Sequence, residues 1–313
     1  MNPSPPPSLF DLQVNGFAGV DFQQPRMELD DLRRAVQSLR ARQTHRILLT
    51  LITDEIGALC RKFARIEELR RVDPEIAATV CGYHLEGPWL SPEPGFCGAH
   101  PPERMCPPSL ADYRRLQNAA GGNIRLITIA PEWPGSDEFI AAVVREKVVV
   151  SLGHTDASEA QIDSAVRAGA TLITHLGNGV PQTLHRHDNV IQRLLARDEL
   201  IACLIPDGIH LPPFVLRNFF RAKPPGRAIF TTDAMAAAAA PPGRYTIGHS
   251  EVESRDGVVR VPGKPNFAGS SLTPDRGVTN AAAWLGLSLA DAHALFSTTA
   301  ARVFAITLPP LDS

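Results

Sequence analysis

Eight short runs rich in Val, Ile and Leu, each followed by a longer polar or amphipathic stretch, set the rhythm of this 313-residue chain. Runs that short and that apolar suit strands buried on both faces, and the stretches between them suit the helices that cover a parallel sheet. The runs lie at Leu9–Val14, Ile47–Ile52, Ala78–Leu85, Ile124–Ala130, Val148–Leu152, Thr171–Thr174, Leu200–Ile205 and Ala228–Thr232. Helical spacing marks Leu29–Arg42, Ser109–Ala119, Ala157–Ala168 and Pro213–Ala222, often with Ser or Asp at the start. Eight such units in about 230 residues match a (β/α)8 barrel, with a doubly wound open sheet as the alternative. Beyond the eighth run, Gly, Pro and alternating Val predict a short β excursion near 243–265, and a final helix is expected over Ser288–Phe304. The expected organisation is therefore one barrel domain over 1–313.

A hydrophobic content of 44% provides for a large core, and 31 basic against 33 acidic residues leave no broad field for nucleic acid or an acidic membrane. Any anionic ligand must be held by a few placed groups. The five cysteines, Cys60, Cys81, Cys97, Cys106 and Cys203, form no CxxC pair, and their odd number argues against a disulfide framework. The start, MNPSPPPS, lacks an export signal, and no apolar run approaches about 18 residues, so a cytoplasmic, membrane-free location is expected. Neither GxxxxGK nor a GxGxxG after the first strand is present, which removes support for nucleotide binding.

Chemistry gathers at the ends of the predicted strands: Gln13 and Asn15, His84 and Glu86, His154, His175, Asp207 and His210, and Asp233. In a barrel these ends ring one mouth, where active sites of the fold sit. Glu86, His154 and His175 make a set of one carboxylate and two imidazoles suited to a divalent ion such as zinc, with a position left open. Asp233 is placed to carry a proton from water to a leaving amine. His210 is positioned either to polarise a carbonyl or to hold a sugar hydroxyl, and His100 reaches in from the long loop after the third strand. Taken singly, each is more often a cap or loop residue; their convergence carries the reading. Gln13 and Asn15 are expected to support the site, His84 to join or support it, and His45, His249 and His293 to be surface residues on helices or loops. Cys97 and Cys106, flanking His100, are read as ordinary loop cysteines.

The strings DLQVNGFAGVDF, HLEGPWLSPEPGFCGAH, SLGHTDAS, ATLITHLGNGVPQ, PDGIHL, TTDAM and NFAGSSLT together resemble the N-acetylglucosamine-6-phosphate deacetylases of the amidohydrolase superfamily. The resemblance runs in order from about residue 11 to 306. It implies that Glu86, His154 and His175 bind the metal and that Asp233 is general base and acid. It further implies that His210 and His100 contact the substrate, that Asn178 and Gly179 offer it main-chain groups, and that Arg186 reaches the phosphate bound by a neighbouring subunit, hence a homodimer. Many amidohydrolases have His-x-His where this chain has Gln13 and Asn15, which implies a single metal. The family's small β-sandwich domain is expected to be largely missing, the 243–265 excursion being what remains. Ser91–Ala99 and the HRHDN stretch also depart from the family pattern, and they bear on substrate identity. The implied reaction is hydrolysis of the N-acetyl amide of N-acetylglucosamine 6-phosphate or a close amino sugar phosphate. The alternatives are another small N-acyl substrate, or a degenerate sugar binder without catalysis.

Overall fold

The computed structural model describes residues 5–263 and 266–311. Eight parallel strands follow one another around a nearly closed barrel: β1 (Leu9–Val14), β2 (Thr44–Ile52), β3 (Val80–Glu86), β4 (Ile124–Ile129), β5 (Val149–Leu152), β6 (Leu172–Ile173), β7 (Ile201–Leu204) and β8 (Ala228–Phe230). Helices α1 (Leu29–Arg40), α2 (Ile56–Val72), α3 (Pro74–Thr79), α4 (Leu110–Ala119), α5 (Ser136–Arg145), α6 (Glu159–Ala168), α7 (Val190–Leu195) and α8 (Pro213–Ala222) cover its outside. Ser109 caps α4, and Ser158 with Gln161 forms a capping box on α6.

Two expectations shift at element ends. Ala78 and Thr79 close α3 instead of opening β3, because Asp73 caps a short helix there and Pro74 starts it. β2 begins earlier than expected, at Thr44, and this moves His45 from a presumed surface stretch into a buried strand position.

Inside the barrel, alternation along the strands builds three tiers. The lowest is apolar: Phe10, Leu12, Leu48, Leu126, Leu172, Cys203 and Ile229 pack against Ala300, Ala301 and Phe304. Those last residues belong to the end of the chain, where the expected single helix is in fact two, α10 (Leu289–Leu295) and α11 (Thr298–Val303), preceded by α9 (Pro274–Leu285). The break has a cause: the carbonyl of Phe296 accepts from the Phe10 backbone N–H at 2.9 Å, so it serves the start of β1. The turn lets α11 swing under the barrel, with Phe304 edge-on to Phe10 at 5.6 Å.

The middle tier is polar. Ser151 and Thr174 (2.6 Å), Thr174 and Thr128 (2.7 Å), and Thr128 and His84 (2.7 Å) form a buried chain of hydroxyls ending on an imidazole, with Thr50 3.4 Å beyond. The top tier carries the candidate site.

The sheet does not pair β8 with β1 along their length. The seam is closed by Asp11, whose carboxylate accepts from the hydroxyls of Thr231 (2.6 Å) and Thr232 (2.5 Å) and from the backbone of Gln13 and Thr232. Burial pushes this carboxyl above its usual range, opposed by those same bonds. A parallel bridge between Val14 and Ala234 continues the closure toward the mouth.

After β8, the excursion forms a three-stranded antiparallel sheet of β9 (Gly243–Ile247), β10 (Ser250–Arg255) and β11 (Val258–Arg260). It is one strand more than a hairpin, and Lys264 and Pro265 at its expected end lie outside the described residues. Asp21 fixes it to the barrel by accepting from Thr246 Oγ1 (3.1 Å) and the Gly248 N–H (3.0 Å). Among the described residues no helix is long and apolar enough to cross a membrane.

Asp11→Ala strands several buried donors at the seam, each costing about 1–3 kcal/mol. The expected outcome is a loss of at least about 3 kcal/mol in urea unfolding, with Asp11→Asn intermediate because it keeps one acceptor oxygen. An unchanged midpoint in Asp11→Ala would mean that the seam holds without the carboxylate.

Candidate metal centre

Glu86 ends β3, His154 and His175 follow β5 and β6, and Asp233 follows β8, so four strands deliver one side chain each to the same mouth. His154, His175 and Asp233 have φ of +52°, +26° and +52°. For residues with a Cβ this left-handed region is strained, on the order of 1–3 kcal/mol each, and it turns each side chain inward at the point where its strand stops.

Glu86 Oε1 lies 3.0 Å from His175 Nε2 and 3.5 Å from His154 Nε2, and the two imidazole nitrogens are 3.1 Å apart. Ligands about 2.0–2.2 Å from a tetrahedral zinc stand about 3.4 Å from one another, so the three atoms already have the spacing of one face of such a site. All three residues are buried, and together they form the one group of potential metal ligands found among the described residues. Burial alone would raise the Glu86 carboxyl, but the imidazoles of His154 and His175, with His100 farther off, hold it well below the usual carboxylate range.

The ring of His154 is fixed from three directions. Its Nδ1 is 2.7 Å from the Phe96 carbonyl, which orients Nε2 toward Glu86. Gly98 and Gly179, both at positive φ, lie against it so closely that a Cβ would come within 2.8 Å and 2.7 Å of ring atoms. Gln13 Nε2 donates to Glu86 Oε1 at 3.1 Å, and Asn15 Nδ2 to Asp233 Oδ1 at 2.7 Å. The supporting role expected of this pair thus takes the form of direct contact with two site carboxylates. Gln13 Oε1, Asn15 Oδ1 and His175 Nδ1 are buried without a protein partner, a cost that native sites accept where groups from outside the chain are to be bound.

Asp233 is buried, and desolvation together with the charge of Glu86 pushes its carboxyl up to about 7, against the opposing pull of His175, His210 and Asn15. A cation at the three-ligand position would pull it down again. His210 is held by Asp207, whose Oδ2 is 2.6 Å from Nδ1 and whose Oδ1 accepts two backbone N–H groups, and Phe267 lies against its ring at 4.9 Å. His100 bonds Thr53 Oγ1 at 2.8 Å through Nδ1 and stands 3.9 Å from Glu86 Oε2 through Nε2. Burial and the neighbouring imidazole of His154 lower it to about 3, so it is a neutral ring.

A cavity of about 470 Å³ opens over these groups, and His100, Asn178, Gly179, His210 and Asp233 all line it. Arg186 does not; it lies exposed in the loop before α7. His84 is absent from the cavity wall and belongs to the tier below, where burial lowers it to about 4. His249, in the turn between β9 and β10, reaches Asp54 at 3.4 Å, and His293 pairs with Ser297 within the helical end of the chain. All five cysteines are free, and burial pushes the Cys106 thiol up, away from thiolate formation.

Sequence reasoning missed Asp54. At the end of β2 this buried carboxylate meets Lys62 of α2 (2.8 Å), Arg104 of the long loop after β3 (2.6 Å) and His249. One acid thereby ties the loop that carries His100 and the small sheet to the rim of the barrel. The only sequence signal was a polar TD pair after an apolar run.

No family model matches the chain. It is 32% identical over 302 residues to the N-acetylglucosamine-6-phosphate deacetylase of Bacillus subtilis (strain 168), covering 96% of this chain and 75% of that protein. Over the same length it is 31% identical to the N-acetylgalactosamine-6-phosphate deacetylase of Escherichia coli O157:H7, covering 96% and 78%. Among solved structures, an aspartate-to-alanine variant of N-acetyl-D-glucosamine-6-phosphate deacetylase from Mycobacterium smegmatis, in complex with N-acetyl-D-glucosamine-6-phosphate, superposes with a TM-score of 0.88. That match has 32% identity and covers 97% of this chain and 79% of the other. With sequence likeness across nearly the whole chain and the same barrel beneath it, this chain belongs to the N-acetylglucosamine-6-phosphate deacetylase family.

Proposed function

We propose that this protein hydrolyses the N-acetyl amide of N-acetylglucosamine 6-phosphate or a close amino sugar phosphate, giving acetate and the free amine. The observation that carries the reading is the convergence of Glu86, His154 and His175 with Asp233 in one cavity, in a chain of this family. These three residues would hold one divalent ion, and their mix of one oxygen and two nitrogen donors favours zinc. When bound, such an ion polarises a carbonyl and makes water acidic near neutral pH.

The protein supplies the proton path. Asn15 ties up Oδ1 of Asp233, leaving Oδ2 to take a proton from the attacking water and return it to the sugar nitrogen. One C–O bond forms, the C–N bond breaks, and the proton leaves with the amine. Asp207 holds a proton on Nδ1 of His210, so Nε2 is the atom that meets the substrate carbonyl or a sugar hydroxyl. His100, neutral and anchored by Thr53, serves as a second contact. The peptide groups of Asn178 and Gly179 suit the polar body of the sugar. Arg186, exposed and outside its own cavity, suits the phosphate in a neighbouring subunit of a homodimer in the cytoplasm. Relatives named for both C4 epimers stand at nearly equal identity, so N-acetylgalactosamine 6-phosphate is the alternative substrate.

Elemental analysis is expected to find about one metal ion per chain, paired with acetate release from N-acetylglucosamine 6-phosphate that a chelator abolishes and zinc restores. Metal without release would point to another amide, and neither would favour a non-catalytic sugar binder. Asp233→Asn is expected to keep the metal and lose about 10²–10⁴-fold in kcat; loss of the metal instead would make Asp233 a ligand. In Gly179→Ala the new methyl pushes on His154, and metal content after dialysis is expected to fall below that of the parent. Equal retention would show that the ring has room to shift.

A further inference from the structure

Part of the cavity lining is backed by a closed apolar cluster. The loop of Asn178, Gly179 and Gln182 lines the cavity together with Val180, Pro181 and Leu184, and the exposed His185–Arg186–His187 run lies farther along it. Ile52, Ala99 and Ile247 line the cavity as well, and with Met235, Ala236 and Val252 they make one apolar cluster. An amide substrate reaching the metal centre has two arms, a hydroxylated sugar with its phosphate and a short hydrocarbon, and the second is the one that an apolar cluster suits.

From this we infer that Ile52, Ala99 and Ile247 form the acyl wall of the site and confine the N-acyl group to the size of acetyl. The inference rests on the deacetylase reading and names the part of the substrate that the reading leaves unassigned to residues.

Three observations support it. Ile52 is the direct strand partner of Glu86, so both side chains leave the sheet on the same inner face and stand side by side. The assignment places the acyl carbon, bonded to the carbonyl under attack, on the Ile52 side of that carboxylate. Only thin edges of Ile52 and Ile247 reach the cavity, at 8% and 6% exposure, so the wall is dense. It is also held in place. Asp21 clamps Thr246 and Gly248 on either side of Ile247, and Asp54 holds His249. A Cβ on Gly248 would stand 3.6 Å from Ile52 Cδ1, which shows how closely the turn seats on the barrel rim. A longer acyl chain cannot swing the wall aside without breaking these contacts.

The test compares kcat/KM for N-acetyl-, N-propionyl- and N-butyrylglucosamine 6-phosphate in the metal-loaded protein. The parent should prefer acetyl over propionyl by about tenfold or more, the usual discrimination for one methylene. Ile247→Ala and Ile52→Ala should each reduce that preference about tenfold. Leu184→Ala, at a lining residue outside that apolar cluster, should leave the ratio where it was. Each ratio is taken within one preparation, so partial loss of folded protein cancels, and Ile247→Val provides a milder change in the same direction. A ratio unmoved by both wall variants, or moved equally by Leu184→Ala, overturns the assignment while leaving the deacetylase reading intact. A parent inactive on all three substrates removes that reading, and the acyl wall with it.

Discussion

A buried carboxylate at the seam of the barrel sets the conditions for everything above it. Asp11 joins the first strand to the segment that follows the last, through bonds to Thr231 and Thr232. The next residue is Asp233, and its partner Asn15 lies four positions beyond Asp11, directly after β1. Closing the barrel and aligning the proposed proton carrier are therefore one event. Burying a carboxylate is costly, and the expense is tolerable here because hydroxyl and peptide donors surround it.

Above the apolar floor, the barrel interior changes character in steps. The hydroxyl chain from Ser151 to His84 gives a rigid polar platform in which every rotor is pinned by its neighbour. The top tier stands on that platform, and three of its four key residues hold left-handed backbone conformations. Strain of this kind persists only where the surroundings over-determine it, as they do here through tightly packed glycines, the Phe96 carbonyl and the Gln13 and Asn15 amides.

Much of this was legible in the sequence because its signals were local. Short apolar runs suit buried strands, and a His, Glu or Asp at the end of such a run falls at the mouth of a barrel. The missed features depend on partners far along the chain. Asp11 looked like any polar residue inside a strand, since Thr231 is 220 positions away. The break at Phe296 was invisible because the residue that draws off its carbonyl is Phe10. Asp54 gave no hint of Lys62, Arg104 and His249 together, and His45 read as surface because polar Thr44 and Arg46 flank it in a strand otherwise recognised by its apolar half. Family resemblance supplied roles for Asn178, Gly179 and Arg186 that neither periodicity nor spacing would have suggested.

The clamps on the small sheet bear on how the molecule comes into being. Asp21 and Asp54 belong to the first two βα units, yet Thr246, Gly248 and His249, the groups they hold, lie 225, 227 and 195 residues later. As the chain emerges during synthesis, the first strands and their helices can gather locally, but the mouth stays open on one side until the last fifth of the sequence arrives. Such distant closures are entropically demanding and slow. The cavity is thus among the final features to form, and a chain halted before β9 would hold all the proposed metal ligands without a finished site.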